Sequence, residues 1–188
     1  MKLHKKNIPN YLTYFRIAII PALIIVFYLP PYYTGNLRYY LSAILFAAAG
    51  ITDWLDGYAA RLWQVQSNIG RFLDPIADKL LVATALILLV KTGRADLLPA
   101  IAIVCREILV SGLREYLAEI RVGVPVSKLA KFKTAAQMVA IFLLLLGGGA
   151  PSWLYAEELG RILLWAAAII TLVTGYAYLK TGMKHMID

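Results

Sequence analysis

Asp53, Asp56, Asp74 and Asp78 place four carboxylates in one short stretch of a chain that is otherwise mostly apolar, alongside Arg61, Arg71, Gly57 and Gly70. At about 100° per residue, Asp53, Asp56, Gly57, Ala60 and Arg61 fall within an arc of roughly 140°, one face of a helix. Asp74 and Asp78 stand one turn apart and share a face of the next helix, with Gly70 a turn earlier. Pro75 predicts a kink or a helix start between them. The turn at residues 64–68 is short, so the two helices are expected as antiparallel neighbours whose carboxylates converge. Unpaired carboxylates in an apolar setting cost several kcal/mol each, so partners are expected. Arg61 and Arg71 can neutralise two, and the remaining charge calls for cations. Oxygen donors without histidine or thiol suit hard ions, Mg²⁺ or Mn²⁺. A pair of such ions is one way to stabilise an in-line displacement at phosphorus. Gly57 and Gly70 would let a flat ring or a diphosphate approach the backbone. Two other uses fit the same cluster: a salt-bridged lock for the helix pair, and a cation or proton pathway.

The elements that must carry these residues are read from the apolar runs. Hydrophobic residues make up 61% of the 188 and charged residues 16%, with a mean hydropathy of +0.69. A water-soluble domain of this length needs a more polar surface. Windows of about 20 apolar residues, enough to cross a bilayer, recur at roughly 12–29, 39–60, 75–91, 97–118, 134–150 and 159–179. They predict an all-α polytopic membrane protein with six transmembrane helices, one domain over 1–188, and the aspartates at the cytosolic boundary.

The basic start and following apolar run resemble a signal peptide, but no small-residue cleavage site follows, so a retained first helix is expected. Asn7-Ile8-Pro9-Asn10 is expected to open that helix, and Pro30 to Asn36 to form an outer loop. The polar stretch 119–133 is expected on the cytoplasmic surface. Gly147 to Pro151 should break the chain before the last span.

The net charge of +8 follows from the same layout. With both termini cytoplasmic, fifteen of the nineteen lysines and arginines lie at inner ends. Only Arg38, Lys91, Arg94 and Arg161 lie at outer ends, the asymmetry of the positive-inside rule. The charge therefore reports orientation and an anionic lipid surface, not nucleic acid. Cys105 stands alone, which excludes a disulfide framework and a cysteine metal site.

The spacing Asp53-x2-Asp56-Gly57-x2-Ala60-Arg61-x8-Gly70-x3-Asp74-x3-Asp78 resembles, at every specified position, the signature of the CDP-alcohol phosphotransferases. The resemblance implies six helices, a cytosolic active site, and transfer of a phosphatidyl-type group from a CDP-activated donor to an alcohol with release of CMP. It implies that Asp53, Asp56, Asp74 and Asp78 hold two metal ions and that Asp78 is also the general base. Asp56, Gly57, Ala60, Arg61 and Gly70 would bind the CDP moiety, with Arg61 as a fork donor to the diphosphate. Asn10 and Thr13, one turn apart, either contact the nucleotide or cap the first helix. A homodimer in a bacterial inner membrane is implied in the same way.

The acceptor must be read elsewhere. Arg106 and Arg114 lie about two turns apart on the fourth span, Lys131 and Lys133 begin the fifth, and Arg16 lies in the first. An anionic acceptor such as glycerol 3-phosphate would need such cations around its phosphate; serine, choline or inositol would not. The lysines also satisfy the positive-inside rule, but Arg106 lies within a span, where snorkelling is harder. The strings Asn7 to Arg16, Thr52 to Gly57, Leu73 to Lys79, Arg106 to Ile108, Gly112 to Glu115 and Lys131 to Gln137 resemble the branch of the family that joins CDP-diacylglycerol to glycerol 3-phosphate. The alternatives are a relative acting on another alcohol, such as phosphatidylglycerol, inositol phosphate or serine, and an ion-binding membrane transporter.

Overall fold

The computed structural model describes residues 2–63, 68–122 and 128–187, and the side chains of 13–30, 32, 34–53, 70, 72–122, 129 and 132–183. Every regular element among them is helical. Six long helices carry the fold: α1 (Lys2–Tyr28), α3 (Leu37–Trp63), α4 (Asn68–Lys91), α5 (Leu97–Glu119), α6 (Lys128–Leu146) and α7 (Ala156–Ile187). A single turn of helix, α2 (Pro31–Thr34), occupies the expected outer loop, and 3-10 turns at Gly147–Gly149 and Ser152–Leu154 separate α6 from α7.

Local chemistry explains most boundaries. Pro30 and Pro31 end α1, since the residue before a proline leaves the helical region. Gly93, at φ 70°, closes α4, and the next amide, Arg94 N–H, donates back to the Leu89 carbonyl at 3.0 Å. Two expected helix starts are not found. Pro9 does not open the first helix, which already runs from Lys2. Pro75 neither starts nor divides α4, which runs unbroken from Asn68 to Lys91. An internal proline removes one backbone hydrogen bond, a loss that a long helix can carry without ending.

The long helices close a ring in the order α1, α3, α6, α7, α5, α4 and back to α1. The expected α3–α4 neighbourhood is therefore corrected. Among the described residues those two helices barely touch, and α1 packs along both. Leu23, Phe46, Leu81, Leu86, Leu89, Ile103, Leu144 and Leu164 fill the centre of the ring.

The polarity of the bundle is partly inverted. Ile25, Ile44, Ile87 and Ile108 are more than 60% exposed, while Thr13, Arg16, Lys133 and Gln137 are buried. Two windows, Phe132–Gly149 and Ser152–Met183, are long and apolar enough by length and composition to cross a membrane.

Candidate active site

Thr13 and Arg16 are one turn apart on α1, so they share a face. That face meets both aspartate-bearing helices. The Thr13 hydroxyl donates to Asp74 Oδ1 on α4 at 2.5 Å. Arg16, 0% exposed, pairs with Asp53 Oδ1 on α3 at 2.9 Å, while the Asp53 side chain keeps 51% of its surface open. Helix α1 thus holds one carboxylate of each helix and leaves Asp53 facing solvent. Among the described residues, the charged groups within electrostatic reach of Asp78 include Asp53, Arg16, Glu107, Lys79 and Lys133. Asp53, Asp74 and Asp78 accordingly gather at one end of the bundle, with α1 between their helices.

Asp56, Gly57, Ala60 and Arg61 lie in the last turns of α3, and Asn10 lies in α1. Their side chains fall outside the described residues, as do those of Arg71 and Lys131. Gly70 is buried in the first turn of α4. Among the described residues, no three carboxylate, histidine or cysteine side chains form a closed metal cluster. The donor set nevertheless fits a hard divalent ion. It is made wholly of oxygen, comes from two helices, and includes a half-open carboxylate that already tolerates one cation.

A cavity of about 310 Å³ opens beside the aspartates between α4 and α5. Asp78 and Lys79 line one wall, and Arg106, Glu107, Ser111, Arg114 and Glu115 line the other. The sequence placed Arg106 and Arg114 with the acceptor, and the fold brings both to the same space as Asp78. Lys133, 2% exposed, reaches them indirectly. Its ammonium pairs with Glu107, whose Oε1 also lies 3.4 Å from Arg106 Nη1. Arg106 Nη2 lies 3.4 Å from Thr174 Oγ1 on α7. Both Arg106 contacts are long for a charged donor, so the guanidinium is positioned without being saturated. The Arg114 guanidinium sits 5.9 Å from the Tyr178 ring centroid.

Arg16 pairs with Asp53 and is not among the residues that line this cavity. Glu107 is the residue that sequence reasoning missed. The signal was available: a carboxylate within an apolar span, next to Arg106, implies a partner. The Lys79 ammonium, which bonds Ser111 across the cavity, was also not singled out.

The chain is also similar in sequence to known proteins. The profile of the family described as CDP-alcohol phosphatidyltransferase matches residues 6–173. A CDP-diacylglycerol–glycerol-3-phosphate 3-phosphatidyltransferase of Rickettsia felis is 47% identical over 180 residues, 96% of this chain and 97% of its own. The protein of that name from Rickettsia bellii is 48% identical over 180 residues, with the same coverage. That from Salmonella choleraesuis is 42% identical over 186 residues, 97% of this chain and 98% of its own. Each match spans α1, the aspartate helices and the cationic wall together, and on that breadth the chain belongs to the CDP-alcohol phosphatidyltransferase family.

Proposed function

We propose that this protein transfers the phosphatidyl group of CDP-diacylglycerol to glycerol 3-phosphate, forming phosphatidylglycerophosphate and releasing CMP. The observation that carries the reading is the shared cavity: Asp78 faces the same space as Arg106 and Arg114. A base and a phosphate-binding wall on one cavity suit an acceptor that brings both a hydroxyl and a phosphate. The names printed for the relatives from Rickettsia and Salmonella point to the same pair of substrates.

In this mechanism the glycerol 3-phosphate phosphate rests against Arg106 and Arg114. Lys133 acts through Glu107, and Lys131 is assigned to the same phosphate on the sequence pattern alone. Asp78 takes the proton of the free primary hydroxyl. The hydroxyl oxygen bonds to the β-phosphorus as the bond from that phosphorus to the CMP oxygen breaks, and CMP leaves. Arg61, Gly57, Ala60, Gly70, Asn10 and Thr13 receive the nucleotide side, while Arg16 holds Asp53 in place. Asp53, Asp56, Asp74 and Asp78 would hold two ions, Mg²⁺ or Mn²⁺. Bound there, the ions would neutralise charge on the diphosphate.

The wider reading is one domain over 1–188 with six spans in a bacterial inner membrane, both termini cytoplasmic and the aspartates at the cytosolic boundary. Its support is the basic asymmetry and the apolar exterior. The homodimer belongs to the proposal on the family likeness alone.

The test is to give the purified protein labelled CDP-diacylglycerol with a panel of alcohols. The expected product is phosphatidylglycerophosphate, from glycerol 3-phosphate alone. A product from another alcohol moves the protein to a sister activity. No CMP with any alcohol leaves an ion-binding role for the aspartates.

A further inference from the structure

A second polar cavity, of about 490 Å³, lies at the end of the bundle remote from Asp78. It forms where α1 and α4 end and α3 and α7 begin, and its lining includes Arg38, Tyr39, Arg94 and Glu157. The proposed reaction uses none of these residues.

Two guanidiniums share this space with one carboxylate. Both are organised by one aromatic ring: Arg38 Cζ lies 4.7 Å and Arg94 Cζ 4.1 Å from the Tyr39 centroid. Arg38 Nη2 donates to the Tyr39 hydroxyl at 2.7 Å, yet its Nε is shielded from solvent and bonds nothing among the described residues. The only carboxylate lining the cavity among the described residues, Glu157, stands 3.8 Å from Arg94 Nε, beyond a hydrogen bond. Burial pushes the Arg94 pKa below its ordinary value; Tyr39 and Glu157 oppose that fall, and Arg38 adds to it. The backbone below is fixed, because Arg161 donates to the carbonyls of Gly93 and Arg94 at 2.8 and 3.1 Å. Gly147 is held close as well: a Cβ there would come within 2.9 Å of Glu157 Oε1 and 3.3 Å of Arg94 Nη1.

Two fork donors held in register, carrying one more positive charge than the carboxylate cancels, make a seat for a tetrahedral oxyanion. We infer that this remote cavity binds a phosphate group, carried by a phospholipid headgroup or by a free anion, between Arg38 and Arg94.

The test uses the full-length protein in phosphatidylcholine nanodiscs. Melting is followed by tryptophan fluorescence while either the phosphatidylglycerol fraction or inorganic phosphate is raised. For wild type, at least one probe should give a saturable rise in melting temperature. A rise with the lipid alone identifies a headgroup, and a rise with inorganic phosphate identifies a free anion. Arg38→Gln/Arg94→Gln should weaken that response at least about tenfold, the loss of two charge-assisted forks, with CMP release unchanged. Glu157→Gln removes the competing carboxylate and leaves the ring stack intact, so it should strengthen the response. A merely destabilised protein would not give that direction. If neither probe separates wild type from the double variant, or if Glu157→Gln weakens the response, the site does not exist.

Discussion

Asp78, Arg106 and Arg114 divide the proposed reaction between proton removal and phosphate binding, and substitution can separate the two. Asp78→Asn keeps the shape of the side chain and removes its basicity. CMP release should fall at least about a hundredfold, the usual scale for a lost general base, while CDP-diacylglycerol binding persists. Near-normal turnover would remove Asp78 from that role. Arg106→Ala should raise the KM for glycerol 3-phosphate about tenfold or more and leave the KM for the donor close to wild type, matching the loss of one charge-assisted contact. Equal effects on both substrates would make Arg106 structural. Chelation should abolish CMP release, and Mg²⁺ or Mn²⁺ should restore it; release that persists in chelator would refute the ion-binding role of Asp53, Asp56, Asp74 and Asp78. The aspartates were legible because their spacing along the chain fixes their faces. The partners were not. Arg16 sits among other inner-end cations in the sequence, and nothing local says that α1 turns it toward Asp53. Glu107 was similarly hidden, since its link to Lys133 crosses from one helix to another.

At the scale of the helices, α1 is the element that assembles the site and α7 the one that shapes its far wall. The number and order of the long helices were readable from the apolar runs, but polar starts such as Lys2 to Tyr11 of α1 and Asn68 to Asp74 of α4, and the lateral neighbours, were not. The short connection between α3 and α4 suggested direct packing, whereas α1 occupies that position with Thr13 and Arg16. A short connection limits how far two ends can separate and leaves open what lies along their lengths. On α7, two glycines allow close approach for different purposes. A Cβ at Gly175 would come within 2.8 Å of Arg106 Cγ, and one at Gly160 within 2.7 Å of Leu144 Cγ and 3.2 Å of the Leu144 backbone nitrogen. Gly175→Ala must therefore shift the stem of Arg106, and the KM for glycerol 3-phosphate should rise several-fold while the donor KM holds. Gly160→Ala overpacks α6 against α7 away from the cavity. It should cost stability, about 1–3 kcal/mol, with both KM values unaltered. Identical kinetic profiles for the two variants would show that Gly175 acts only through packing.

The whole molecule carries apolar side chains outward and sorts its charges to two ends. Exposed isoleucines on α1, α3, α4 and α5 cover the flanks, the arrangement expected where lipid and not water surrounds a bundle. The ends differ in kind. Asp53, Asp78, Arg106 and Lys133 lie toward one, with most of the described basic residues. Arg38, Arg94, Glu157 and Arg161 lie at the other, held by contacts such as the Trp165 indole donating to Asp96 at 2.7 Å. In the proposed orientation the first end faces the cytoplasm, where water-soluble glycerol 3-phosphate must enter. Residues near opposite ends should then differ in access from outside the cell. Glu119 ends α5 at the aspartate end and Ser152 lies between α6 and α7 at the other, and both are exposed. In a background carrying Cys105→Ser, Ser152→Cys should react with a membrane-impermeant maleimide on intact spheroplasts. Glu119→Cys should react only after permeabilisation. The reverse pattern would put the aspartates on the outer face, away from the acceptor. Equal labelling of both in intact cells would mean that the bundle does not cross the membrane in the proposed way. Because this readout is independent of catalysis, it would separate an error in topology from an error in the assigned reaction.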